Sequence, residues 1–188
     1  MRFTALFLLS VAAFSADYTI DAAHSSATFG VRHMVVSTVR GSFSKVAGKV
    51  TYDPKNLAAS KVEATVDVTT INTNEPKRDE HLKSPDFFDA AKYPAMSFRS
   101  TKWTQAGGRL KIAGDLTLHG ITKPVVLDAD APAPEVKGMG GGMVIGTSAT
   151  TKISRKEFGL TWNRLLETGG AVVGDEVTIT LDIEAKRN

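Results

Sequence analysis

Glu176-Val177-Thr178-Ile179-Thr180-Leu181-Asp182-Ile183-Glu184 alternates polar and apolar residues at every step. A β-strand turns successive side chains to opposite faces, so Val177, Ile179, Leu181 and Ile183 share one buried face. The same period recurs upstream. Ala27, Phe29 and Val31 face away from Ser26, Thr28 and Arg32, and Val62, Ala64, Val66 and Val68 oppose Lys61, Glu63, Thr65 and Asp67. Leu110, Ile112, Leu116 and Leu118 oppose Lys111, Asp115 and Thr117. Less regular runs at 38–51, 95–104, 123–130 and 143–153 bring the strands to eight. Within 38–51 the parity changes, with Val39 and Phe43 odd and Val46 and Val50 even, which predicts a bulge near Ser44-Lys45 or Gly48.

Turn chemistry separates the runs. Asp53-Pro54, Gly107-Gly108, His119-Gly120 and Gly169-Gly170 are breakers of the kind that join antiparallel strands. The stretch from Glu75 to Ala91 reads as helical, and Pro76, Pro85 and Pro94 hold it to one or two turns. No spacing suits a βαβ crossover, so the sheet is antiparallel and the class is all-β. Eight such strands with one apolar face each close into a barrel or stack as a sandwich. A barrel removes the sheet edges and at this size can enclose one small ligand, and it is the preferred reading.

The remaining composition narrows the function. The chain has 188 residues, enough for one ordinary domain, and 23 Lys and Arg against 20 Asp and Glu give a net charge of +3. The basic residues do not cluster: Lys77-Arg78 and Arg155-Lys156 are isolated pairs flanked by acids, unlike the stripe of a nucleic-acid binder. Cysteine is absent, which excludes disulfides, thiolate metal sites and thiol catalysis. Met1-Arg2, an apolar run from Phe3 to Phe14 and the small residues before Asp17 read as a secretory signal peptide over 1–16, cleaved after Ser15 or Ala16. The run is shorter than the ~20 residues that span a bilayer. The expected mature chain, 17–188, is then one exported domain without a membrane-inserted segment.

Candidate chemistry is thin. The four histidines, His24, His33, His81 and His119, include no pair at the spacings that hold a metal on a strand or helix. In Lys77-Arg78-Asp79-Glu80-His81-Leu82, Asp79 or Glu80 could orient His81 as a base, or the segment is the solvated face of a helical turn against the barrel rim. No Gly-x-Ser-x-Gly elbow accompanies it. Gly138 to Met143 has no Lys-Ser/Thr after it and reads as a hairpin tip, not a phosphate loop. Arg155, Phe158, Trp162 and Asn163 lie in a non-alternating stretch that either caps the core or closes the mouth of a cavity.

At these residues the sequence resembles the YceI-like proteins. The resemblance is carried by His24-Ser-Ser with Phe29-Gly-Val-Arg-His33, Val39-Arg-Gly-Ser-Phe43, Lys77 to Leu82, and Ser84-Pro-Asp-Phe-Phe-Asp89. It continues through Tyr93-Pro94 with Phe98, Gly114 to Pro124, Phe158-Gly-Leu-Thr-Trp162 and Val173-Gly-Asp-Glu-Val177. Glu157 stands where Asp is commoner. The resemblance implies an eight-stranded, lipocalin-like antiparallel barrel exported to the periplasm, with a long-chain isoprenoid or related lipid in its lumen. A non-catalytic binding protein is expected, with no cofactor beyond such a ligand, an isoprenoid quinone included, and no nucleic-acid partner. A homodimer is left open.

On that basis Phe29, Val31, Phe43, Val66, Phe98, Leu116 and Leu118 are expected to line a tunnel for the tail. His33, Arg78, Asp79, His81, Trp162 and Asn163 are expected to meet the headgroup. Two alternatives stand beside this: a lipid-modifying enzyme using His81 and a carboxylate, and a barrel filled by its own side chains that acts as an interaction module.

Overall fold

The computed structural model describes residues 15–165 and 171–188. The alternating runs form strands with the facing their pattern predicts, except that Val68, at the end of its run, lies in a 3-10 turn and not in the strand. The elements are β1 (Ala16–Ile20), β2 (Ser26–His33), β3 (Ser37–Phe43), β4 (Val46–Tyr52), β5 (Lys61–Asp67), α1 (Pro76–Lys83), β6 (Ala95–Ala106), β7 (Arg109–Leu118), β8 (Ile121–Ala129), β9 (Val136–Lys137), β10 (Met143–Ser154) and β11 (Val173–Arg187). All pairings are antiparallel.

β11 closes the sheet, pairing with β10 from Val144↔Lys186 to Ser154↔Glu176 while β1 and β2 lie along its other edge. β1 and β2 are collinear on that edge: Ile20 faces Ala185, Ser26 faces Asp182, and the chain bends out between them. β3 and β4 are likewise one stave, interrupted at Ser44-Lys45, where the parity change predicts the bulge. The result is a closed eight-strand barrel with two kinked staves, so the barrel and not the sandwich is the architecture. β1 continues the same alternation, with Tyr18 and Ile20 buried and Asp17 and Thr19 outward, but its brevity hid it in the sequence.

β6 carries a second bulge, between Ser100 and Lys102. Thr101 is the extra residue, and it lets both Phe98 and Trp103 face inward although their numbers differ in parity. Phe98 fits because its neighbour across the strands' inner face is Gly114, where a Cβ would come within 2.4 Å of the Phe98 ring.

The turns follow their residues. Gly107 and Gly108 have φ of 59° and 80°, and His119 and Gly120 have 52° and 74°. Positive φ at both central residues is the two-residue hairpin geometry that matches strand twist. The Gly138–Met143 segment is a hairpin tip, closed by the Gly138 N–H on the Gly142 carbonyl. Gly169-Gly170 lies outside the described residues, as do residues 1–14 of the expected signal peptide.

α1 begins with Pro76 at its first position, where the missing N–H costs nothing, and with the Glu75 carboxylate accepting from the Arg78 N–H. The segment after it folds over one end of the barrel. Phe88 stands edge-on to Phe43 at 5.8 Å, and Leu82 and Phe88 pack on Ile20, Phe43, Val46 and Ile71.

Candidate functional site

Inward side chains from the barrel staves enclose a cavity of about 170 Å³. Its wall runs from Ile20, Ile145 and Ala185 to Met96, Leu118 and Val125. The lining is apolar except for Ser97, Asp130, Thr147, Thr151 and the indole nitrogen of Trp103. Asp130, with Pro132, Gly146 and Thr147, forms the polar part, and the Thr147 hydroxyl donates to the Asp130 carbonyl at 2.7 Å. The opposite end is shut. Phe158 (1% exposed) and Leu160 pack on Leu118 and Ile153, with Phe88, Met96 and Val125 around them.

Of the residues expected to line a tunnel, Val66, Phe98, Leu116 and Leu118 border this cavity. Phe29, Val31 and Phe43 do not. Phe29 and Phe43 sit 5.7 Å apart in the apolar cluster beneath Phe88 and Leu82. Val31 lies between Val39 and Val177 on the neighbouring strands. The segment carrying Leu82 and Phe88 packs over Phe43, and Phe29, half-buried, also lines a surface groove with Gly41, Asn72 and Asn74.

The polar candidates hold the chain together outside the cavity wall. Arg78 donates through Nε to the Thr73 hydroxyl and through Nη2 to the Thr73 carbonyl, both at 2.8 Å. Asp79 accepts from the Thr73 N–H at 2.8 Å and from its hydroxyl at 2.5 Å. Asn163 bridges to Val173, donating to its carbonyl at 2.7 Å and accepting from its N–H at 3.0 Å. His33 ends β2, paired with Ser37 and Val173. His81 meets the Asp86 carboxylate at 2.8 Å, not Asp79 or Glu80, and its ring stands edge-on to Phe87 and Trp162, each at 5.0 Å. Glu80 is engaged by Lys83. The His81–Asp86 pair and Trp162 are separate from the cavity lining.

Cavity residues absent from the sequence-based set include Val46, Trp103, Leu127, Ala149 and Leu181. Alternation put Leu181 on the inward face, whereas Trp103 needed the β6 bulge to get there. The Trp103 indole N–H has no hydrogen-bond partner, and the Tyr52 ring lies 6.1 Å away. Burial also raises the Tyr52 phenol pKa.

The stretch that shuts the cavity is secured by Arg155, which is 4% exposed. Its guanidinium donates to the carbonyls of Gly174 (2.9 Å), Trp162 (2.9 Å), Val173 (3.3 Å) and Leu160, and lies 3.5 Å from Asp175. Burial lowers the Arg155 pKa, with Asp175 opposing the shift. Beside it, His119 Nδ1 lies 3.2 Å from the Phe158 carbonyl, tying the β7–β8 hairpin turn to the stretch after β10.

Asp21, His24 and Glu184 gather at the β1–β2 bend. Lys186 already occupies this cluster, 2.7 Å from the Asp21 carboxylate, and His24 Nδ1 sits 2.7 Å from the same group. The geometry is that of an ion-pair latch tying the bend to β11.

A closed antiparallel barrel around an apolar, end-capped cavity defines the class of protein. Residues 18–185 match the YceI-like domain, and the chain belongs to that family. Among its relatives is protein YceI of Escherichia coli O157:H7, 37% identical over 190 residues, covering 98% of this chain and 94% of that one. Two solved structures share the fold. Burkholderia cenocepacia BcnA superposes with a TM-score of 0.76 at 23% identity, covering 88% of this chain and 98% of BcnA. A polyisoprenoid binding domain from Saccharophagus degradans superposes at 0.66 with 14% identity, covering 93% of this chain and all of that domain.

Proposed function

We propose that this protein binds a long-chain isoprenoid or related lipid, isoprenoid quinones included, inside its barrel, and that it does so in the periplasm without chemical turnover. The observation that carries this reading is the apolar cavity within a closed sheet. Each methylene that leaves water for such a wall contributes roughly 0.8 kcal/mol. The polyisoprenoid-binding neighbour supports the ligand class, and the apolar run Phe3 to Phe14 supports export.

The cavity volume constrains the reading. An engineered apolar cavity of about 150 Å³ takes a benzene molecule, so about 170 Å³ holds one ring or a few isoprenoid carbons. A longer tail has to displace wall side chains such as Met96 and Leu116, and an unbranched methionine does so at low cost. The same small volume favours a second reading, a barrel filled by its own residues that acts through its outer face.

Native mass spectrometry of protein purified without detergent separates the two. An apolar adduct of lipid mass is the expected result. Protein that stays empty after incubation with isoprenoid quinones overturns lipid binding and leaves the interaction module.

A further inference from the structure

The turn joining β2 to β3 works against its own backbone. Met34 and Val35 have φ of 50° and 64°, and the Val36 N–H donates to the His33 carbonyl at 3.1 Å. This is the hairpin geometry that favours Asn-Gly, and a β-branched residue at positive φ is an outlier. The strained residues are nevertheless apolar and turned to solvent: Met34, Val35 and Val36 are 42%, 68% and 80% exposed. Strain accepted at an exposed apolar tip yields no burial within the barrel, so its return must come from something outside the chain.

A second segment lies against this tip. The Met34 N–H donates to the Val172 carbonyl at 2.8 Å, and the Val172 N–H to the Arg164 carbonyl at 2.9 Å. Leu165, which bridges to Ala171, is 88% exposed. Around these apolar side chains the described residues 31–40, 161–165 and 171–174 carry Arg32, Arg40 and Arg164 and no carboxylate, while Glu167, between Leu165 and Ala171, lies outside the described residues. Arg32 reaches over the turn to the Val35 carbonyl and the Thr38 hydroxyl, and Arg164 lies over the Trp162 ring at 5.9 Å. Asp175 and Glu176 line the groove beside Arg32 and Arg40, and each is engaged by another cation, Asp175 by Arg155 and Lys156 and Glu176 by Lys152.

We propose that this tip docks the protein on an anionic bilayer. Met34, Val35, Val36 and Leu165 enter the headgroup layer, and Arg32 and Arg164 meet lipid phosphates. Apolar insertion flanked by cations is the pattern of peripheral membrane attachment, and the arginines argue for a lipid surface over a second copy of this equally basic tip. The inference rests on the lipid-binding reading only in giving docking a purpose, since a lipid cargo is exchanged with a bilayer.

The test is co-flotation with vesicles of phosphatidylglycerol and phosphatidylethanolamine that contain no isoprenoid. The protein starts at Ala16, so every barrel strand is present and the apolar run before it does not contribute. Wild type is expected to float with the vesicles, less so as salt screens the arginines. Met34→Asn/Val35→Gly should bind at least tenfold more weakly and yet melt at a higher temperature, because it removes the strain. Leu165→Ser should also weaken binding, whereas Val126→Ser, an exposed apolar change on β8, should not. Wild type that fails to float, a double variant that floats as wild type does, or a tip that instead forms dimers in sedimentation overturns the proposal. Lipid content is read separately by mass spectrometry. Empty protein that floats sinks lipid carriage and leaves docking standing, and loaded protein that does not float does the reverse.

Discussion

Arg155 shows how a single side chain organises the closed end of the barrel. Its donors reach carbonyls of four residues, Leu160 and Trp162 in the strand-free stretch after β10 and Val173 and Gly174 at the start of β11, and its removal takes a donor from each of them. Replacing it with methionine keeps the stem but removes those donors, and urea unfolding should show a loss of about 3 kcal/mol. At the β1–β2 bend the opposing shifts of two neighbours set a pH signature. Hydrogen bonds from Lys186 and His24 hold the Asp21 carboxyl well below the usual carboxylate range. Its contribution is therefore present above about pH 4 and is lost as the pH falls through its folded pKa. His24 is shifted up by its bond to Asp21, so its contribution is whole below about pH 6.5 and is lost as the pH rises through its folded pKa. The stability gap between wild type and Asp21→Asn should be wide at pH 6 and narrow in strong acid. The gap to His24→Gln should be wide at pH 5 and narrow in alkali; urea titrations across pH check both. The residue types in Lys77–Leu82 were visible in the sequence, but their partners were not. Asp79 bonds Thr73 and His81 meets Asp86, six and five residues away, because the turns that flank the short helix fold back on it, and residue type alone does not show which way they turn.

At the scale of elements, hydrophobic period predicted the facing of the strands, and breaker residues predicted the hairpins that join them. Bulges were half legible: the parity change at Ser44-Lys45 announced one, while Thr101 left no mark because Phe98 and Trp103 read separately as apolar. β8 is the weak stave. It pairs with β7 from Leu110↔Ala129 to Leu118↔Ile121 but with β10 only at Ala129 and Asp128. Where β8 and β10 diverge, the buried Phe158 packs on Leu118 and Ile153 beside Val125, doing by side-chain volume what ladder hydrogen bonds do elsewhere. Phe158→Ala should cost about 3–5 kcal/mol. Hydrogen exchange in that variant should accelerate in the first part of β8 before it does in β7. Equal acceleration in both strands would show that Phe158 serves the whole barrel and not this junction.

For the molecule as a whole, closure and cavity are one outcome. Small residues at Ala64, Ala129 and Ala149 keep the inward faces from meeting. Ala149→Leu should narrow the lumen and lower the amount of co-purifying lipid, measured by mass spectrometry, while the melting temperature holds or rises as the void fills. A variant that carries as much lipid as wild type would place the ligand elsewhere. The alternation of residues determined by itself that this chain is all-β, which side chains point inward and where the hairpins turn, since each follows from the two-residue period of a strand and the local preferences of glycine and proline. Only the tertiary structure decided that β11 bonds β10 to close a barrel, and that Val66 and Leu116 border the cavity while Phe43 is buried against Phe88 and Phe29 lies outside the cavity. Facing is a property of each strand alone, whereas depth along the barrel depends on register and on what covers its ends, and those are set by residues far apart in the chain.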